Sequence, residues 1–205
     1  MRRLVDLSHP IRSGMPTWPG DPQVSVIPAA TTASHGYNLM ALHMGSQTGT
    51  HVDAPFHVDN TLPTLDQLPL DRFTGKAIIA NLKGHPGSIE PRHLPALRPG
   101  AVLLIHTGHS AKWGTPGYAH HPWLTKEAAE QIVFAGVLTI GIDAPSIDRP
   151  GDPKLPAHHV LAEAHGVIAE NLTNLDQVEN GAKVWLLPLP LANADGAPIR
   201  ALAAL

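Results

Sequence analysis

Polar and apolar residues alternate over residues 3–8, the two-residue period of a half-buried strand. Residues 24–27 and 37–44 also predict strands, with Ser34-His35-Gly36 as the turn between them. Residues 76–82, 101–106 and 137–142 are aliphatic runs without alternation, which predicts strands covered on both faces. Residues 167–169 form a shorter apolar run, and residues 184–189 predict a final strand. Only one segment carries full helix punctuation. Thr125 is placed to N-cap it and Glu127 lies in its first turn. Ala128, Ala129, Ile132 and Val133 form its apolar stripe, and Gly136 stops it. Residues 158–165 read as a second, short helix. With so few helices to carry crossovers, a purely parallel sheet is disfavoured and a mixed α/β fold is predicted. No repeat or linker divides the chain, so residues 1–205 are expected to form one domain.

Composition narrows the chemistry. There are 21 prolines and 18 glycines, which shortens the elements and multiplies turns. Net charge is −3 and aromatic residues are 4%, so neither phosphate attraction nor a base-stacking platform is indicated, and no nucleic-acid or membrane partner is expected. Cysteine is absent, which removes disulfides and thiolate metal sites. Any metal must be held by His, carboxylate or amide oxygen, and the chain has 14 histidines to draw on. Met1-Arg2-Arg3 is followed by Asp6 and Pro10 rather than by an apolar run, so no export signal is expected and the location is expected to be cytoplasmic.

The densest chemistry lies in Gln47-Thr48-Gly49-Thr50-His51-Val52-Asp53-Ala54-Pro55-Phe56-His57. His51, Asp53 and His57 fall within seven residues, and imidazole with carboxylate is the usual donor set of a catalytic zinc or manganese ion. An extended backbone would point Gln47, Gly49, His51 and Asp53 to one face, with Gly49 leaving room for an ion. Pro55 would end that pairing and bring His57 in from another side. Spacing alone equally describes a hydrogen-bonded His–Asp pair without an ion. Trp18, in a loop stiffened by Pro16, Pro19 and Pro22, is either a cap on the core or a rigid wall for a ligand.

Five motifs in order resemble the bacterial cyclase-family hydrolases, and among them the metal-dependent kynurenine formamidases (arylformamidases). They are Trp18-Pro19-Gly20-Asp21; the stretch from Thr48 to His57; Thr107-Gly108 with Trp113-Gly114-Thr115 and Tyr118; the stretch from Gly141 to Asp148; and His158 with Glu170-Asn171-Leu172. The resemblance implies a mixed α/β domain with a swivelling β/β/α-type layer, assembled as a homodimer or larger homo-oligomer. It implies that His51 and Asp53 ligate one ion, and that Asp53 bridges to a second held by His158 and Glu170. It makes His57 the catalytic acid/base and Trp18 a substrate-packing residue. The position of Gln47 normally carries a third imidazole. Gln47 offers only an amide oxygen, so a first-site ion is expected to be held less tightly, to be manganese, or to be shared with the second site's ligands.

The activity implied is hydrolysis of an aryl formamide such as N-formylkynurenine to the amine and formate, with one or two divalent ions per chain, zinc before manganese. The same chemistry on an isatin-type lactam or another cyclic amide or ester is the nearest alternative. A non-catalytic metal- or ligand-binding relative that lost its first site, or a His-rich metal buffer, are the others. His159 competes with His158 as the late ligand, while His120-His121 and the His106/His109 pair lie outside the matched positions. Asp143, Ser146 and Asp148 are expected to brace a strand end.

Overall fold

A computed structural model describes residues 3–205; Met1 and Arg2 of the Met-Arg-Arg start lie outside the described residues. The chain opens with β1 (Leu4–Asp6), then β2 (Ser25–Ala30), a one-turn α1 (Thr32–His35) and β3 (Leu39–His43). The central stretch forms β4 (His51–Asp53) and a 3-10 turn over Pro55–His57. There follow β5 (Thr74–Asn81), β6 (Ser88–Ile89), β7 (Val102–His106), β8 (Trp123–Leu124), α2 (Lys126–Phe134) and β9 (Thr139–Ile142). The chain continues through α3 (Pro156–Glu163), β10 (Val167–Glu170), β11 (Lys183–Trp185), β12 (Gly196–Pro198) and β13 (Leu202–Ala204).

Nine strands make one mixed sheet in the order β1-β13-β11-β5-β7-β9-β10-β4-β12. The aliphatic runs β5, β7, β9 and β10 form its parallel middle, and every other pairing is antiparallel. α2 and α3 cover one face, where Ala128, Ile132, Ala157 and Leu161 pack on Leu103, Ile105, Ile140 and Ile142. The opposite face curls on itself. Val5 and Ala203 from one end share a core cluster with Val52 and Ala197 from the other, filled by Phe73, Leu172 and Leu175. The α2 boundaries agree with the sequence pattern: Thr125 Oγ1 accepts the Ala128 amide at 3.2 Å, and Gly136 is left-handed beyond the end.

Three expectations are corrected. The short late helix starts two residues early, at Pro156, because proline suits a first helical position and Asp148 binds the free amides of Ala157 and His158. Residues 184–189 do not hold the final strand. Regular pairing there stops at Trp185, and β12 and β13 follow. Ser34 and His35 belong to α1, and only Gly36 makes the left-handed stop beyond it.

Candidate metal centre and active-site cavity

Sheet register assembles the site. β4 lies between β10 and β12, with His51 directly opposite Glu170 on one side and opposite Pro198 on the other. Asp53 is two residues along the same strand and so shares the face of His51, as an extended backbone requires. The fourth side chain, His158, comes from the first turn of α3. All four are buried, Asp53 to 2% exposure and Glu170 to 5%. Gln47 and Gly49 precede the strand, which begins only at His51, so they are not placed by an extended strand as the sequence suggested, although both line the same cavity as His51. Gly49 has φ +64°, a left-handed conformation that favours glycine, and a Cβ there would press only on the movable end of the Met15 side chain at 2.9 Å, so the turn is what asks for glycine.

Each imidazole has one nitrogen committed and one free. His51 Nδ1 donates to the Gly49 carbonyl at 2.8 Å, and His158 Nδ1 donates to Asp148 Oδ2 at 2.7 Å. The Nε2 atoms therefore face the carboxylates. His51 Nε2 lies 3.4 Å from Asp53 Oδ1 and 3.6 Å from Glu170 Oε2. His158 Nε2 lies 3.6 Å from Asp53 Oδ2 and 3.4 Å from Glu170 Oε1. Both Asp53 oxygens are buried without a hydrogen-bond partner. An ionised carboxylate in that state is costly unless a cation answers it. Ligand atoms about 2.0–2.1 Å from a tetrahedral ion sit roughly 3.3–3.4 Å from one another, close to these separations. The donor set fits a divalent cation on its distances, its burial and its unanswered charge.

Electrostatics agree. Burial works against a charge on His51, yet Asp53, Glu170 and the Gly49 carbonyl outweigh it and push the pKa up to about 9. Burial likewise opposes a charge on His158, but Asp148, Asp53 and Glu170 hold its pKa well above the usual range. Asp53 is held below the carboxylate range, since the facing imidazoles overcome the upward pull of burial. The cluster draws positive charge, and protons and a dication are alternative ways of supplying it.

His57 reaches the same cavity from the turn after Pro55, as the sequence predicts. Its Nδ1 is 3.3 Å from Asp195 Oδ2, and its ring centre is 5.9 Å from that of His158. Gln47 donates its amide nitrogen to Asp195 Oδ2 at 2.8 Å. A carboxylate can only accept, so this bond fixes which way the amide points. The Gln47 oxygen is left buried and without a partner. Gly196 makes room for this arrangement: a Cβ there would collide with the Val52 carbonyl and lie 2.8 Å from Gln47 Nε2.

His51, His57, His158 and Glu170 line a cavity of about 710 Å³ whose remaining walls include Trp18, Trp113 and Tyr118. Trp18 is 49% exposed and faces this space, so it does not cap the core. Tyr118 donates its hydroxyl to Asn171 Oδ1 at 2.8 Å, tying the middle motif to the residue after Glu170. His159 is exposed on α3 and does not reach the donor cluster. His109 Nε2 and His121 Nδ1 bond the carbonyls of Tyr118 and Pro122, while His121 Nε2 is buried without a partner. Among the described residues, the His, Asp and Glu ligand atoms gathered within 4.8 Å of one another belong to His51, Asp53 and Glu170. Asp143 braces the β7 and β9 ends by accepting from Thr107 and Gly108, as expected. Sequence reasoning passed over Asp195 and Ser46 and undervalued Asp148. Asp148 carried a readable signal as the last residue of the strand-end motif from Gly141; Asp195 carried none.

Residues 5–149 match the family described as "Putative cyclase". The chain belongs to the cyclase family. The kynurenine formamidase of Geobacillus thermodenitrificans is 37% identical over 207 residues, covering 98% of this chain and 97% of its own length. That of Bacillus cytotoxicus is 36% identical over 204 residues, 97% of this chain and 95% of its own. Among solved structures, isatin hydrolase A from Labrenzia aggregata, bound to benzyl benzoate, superposes with TM-score 0.91 at 23% identity, covering 100% of this chain and 94% of that one. At that identity the likeness is one of fold. A "predicted metal-dependent hydrolase" from Bacillus stearothermophilus superposes with TM-score 0.78 at 26% identity over 100% of this chain and 98% of its own. Among the described residues, no helix is long and apolar enough to cross a membrane.

Proposed function

We propose that this cyclase-family protein is a metal-dependent amide hydrolase that cleaves an aryl formamide such as N-formylkynurenine to the aryl amine and formate. One observation carries the reading: the Asp53 carboxylate, buried with both oxygens unpaired, faces two free imidazole nitrogens and Glu170 beside an aromatic-walled cavity. The nearly full-length similarity to kynurenine formamidases supports the choice of substrate.

His51, Asp53, His158 and Glu170 would hold the ion, zinc in the first instance, with the Gln47 oxygen as an added neutral donor. Bound there, a divalent cation supplies Lewis acidity, lowering the pKa of water and stabilising charge on the carbonyl oxygen. The remaining work falls to the chain's own side chains. Trp18, Trp113 and Tyr118 hold a flat ring in the cavity. His57 takes up the proton released on attack and delivers it to the departing amine, which leaves poorly unless protonated. Imidazole suits both duties because its unperturbed pKa lies near neutrality.

Purified protein, stripped of metal and reloaded with zinc or manganese, should hydrolyse an aryl formamide only when loaded. Isatin and a cyclic ester run in parallel decide the substrate class. Preference for either would move the reading to that chemistry, and inactivity on all three would leave a binding protein. A homodimer is part of the proposal. The ribbon of β2 and β3 exposes Ile27, Tyr37, Leu39, Met40 and Leu42, and no Asp, Glu, Lys or Arg falls between Asp21 and Asp53. A neutral apolar ribbon fits its own copy better than a charged partner. Leu42→Glu should turn a dimer, measured by light scattering, into a monomer.

A further inference from the structure

Asp195 is the residue on which three side chains from two separate segments converge at the edge of the cavity. Ser46 donates its hydroxyl to Asp195 Oδ1 at 2.7 Å, and Gln47 donates its amide to Oδ2 at 2.8 Å. His57 Nδ1 meets the same Oδ2 at 3.3 Å. The carboxylate precedes β12, and the Asp195 carbonyl accepts the Ala54 amide at 2.8 Å, so its backbone is fixed against the end of β4. The contacts are a hydroxyl, an amide and one imidazole nitrogen gathered around one carboxylate.

We infer that Asp195 is a positioning residue for His57, holding the ring through an Nδ1–H bond so that Nε2 is left free to exchange a proton with substrate. The geometry assigns the tautomer. If Nδ1 carried a lone pair, that lone pair would face a carboxylate oxygen. With Nδ1 protonated, His57 and Gln47 are two donors sharing one acceptor, which accounts for the 3.3 Å between His57 Nδ1 and Gln47 Nε2. The hydrogen bond made by one ring nitrogen sets the state of the other. This is the same logic by which a base is oriented by a third group elsewhere. Ser46 and Gln47 serve the arrangement by holding the carboxylate still.

The inference rests on the role given to His57, and the test separates the two. Asp195→Asn, His57→Asn and the double variant are measured on the best substrate of the formamide, isatin and ester panel. Asp195→Asn should lower kcat by about 10–100-fold, less than the ~10²–10⁴-fold that general acid–base help supplies. KM should stay within about twofold and metal content should be unchanged. The double variant should be no slower than His57→Asn. Losses that multiply, or loss of metal from Asp195→Asn, would overturn the inference. Loss in His57→Asn with none in Asp195→Asn would overturn it while leaving His57 in place. Full activity in His57→Asn would remove both. A second readout needs no turnover. In the metal-free protein, the ¹⁵N shifts of the His57 ring should show the Nδ1–H tautomer in the wild type and its loss in Asp195→Asn. An unchanged tautomer would refute the bond. Ser46→Ala, which removes one brace and spares the carboxylate, should give a smaller change in the same direction if Asp195→Asn fails to fold.

Discussion

Loading the donor cluster with a cation should raise the thermal stability of the protein by a predictable amount. In the metal-free chain the Asp53 carboxylate is buried without a hydrogen-bond partner and is answered only by the His51 and His158 imidazoles at 3.4 and 3.6 Å, while the unfolded chain returns it to water. A cation that binds the folded state alone stabilises it by RT ln(1 + [L]/Kd), which is about 2.7 kcal/mol at a free concentration of 100 Kd. For 205 residues, each kcal/mol moves the midpoint by roughly 2–4 °C. Zinc or manganese at that excess should therefore raise Tm by roughly 5–11 °C over protein kept in chelator. The shift should grow with the logarithm of metal concentration. Asp53→Asn, which removes the charge shared between His51 and His158, should abolish it. His159→Asn, altering the exposed neighbour on α3, should leave it intact. The assay is calorimetry in matched buffers with metal set by a competing chelator. An equal shift in the wild type and Asp53→Asn would mean that the ion binds elsewhere. No shift with zinc, manganese or cobalt would mean that the cluster is a proton-bridged core feature.

Asp148→Asn should weaken metal binding by about 10–100-fold, the usual cost of losing a group that orients a ligand, because Asp148 fixes both the His158 ring and the start of α3; chelator competition reads this directly. Trp18→Ala should raise KM by roughly 2–10-fold with little change in kcat, given about 0.5–1.5 kcal/mol for an aromatic contact; steady-state kinetics showing the reverse pattern would make Trp18 part of the chemistry. Burial holds the His121 pKa down at about 4 against 6.5 unfolded, so the unfolded chain takes the proton first. Stability from neutral His121 is then complete above pH 6.5 and is lost as pH falls towards 4, by about 3 kcal/mol at most. Urea unfolding of the metal-free protein between pH 7.5 and 4.5 should show a shallower decline for His121→Gln than for the wild type.

The parallel middle of the sheet was legible because β5, β7 and β9 are aliphatic runs whose burial on both faces erases alternation. The helix from Thr125 was legible through its cap and stop. The last two strands were not: Gly196-Ala197-Pro198 and Leu202-Ala203-Ala204 have no strand preference of their own, and they are extended because β4 and β1 offer them ladders. At the site, His51 and Asp53 could be read from period two along a strand. The sequence favoured His158 over His159 on its twelve-residue spacing from Glu170, and the helix phase set by Pro156 and Asp148 turns His158 inward and leaves His159 exposed. Gln47 was misplaced on the strand face because the left-handed turn at Gly49 ends the extended run. Asp195 was out of reach of any spacing argument, lying 138 residues from His57 and brought beside it only by the β4–β12 pairing.

That pairing also dictates when the site can exist during biosynthesis. His51, Asp53, His158 and Glu170 have all been synthesised before β12 is made. Until then β4 is paired on the β10 side alone, its outer edge is bare, and His57 has no carboxylate beside it. A nascent chain at Trp185 contains His51, Asp53, His158 and Glu170 but leaves β4 an unsealed edge strand, the kind of surface that recruits a neighbouring chain instead. The segment from Asp195 to Ala204 then seals both ends of the curled sheet almost at once, β12 against β4 and β13 between β1 and β11. Assembly of the cluster beside His57 is thereby tied to completion of the sheet, since a chain that stops before Asp195 lacks the carboxylate that His57 meets.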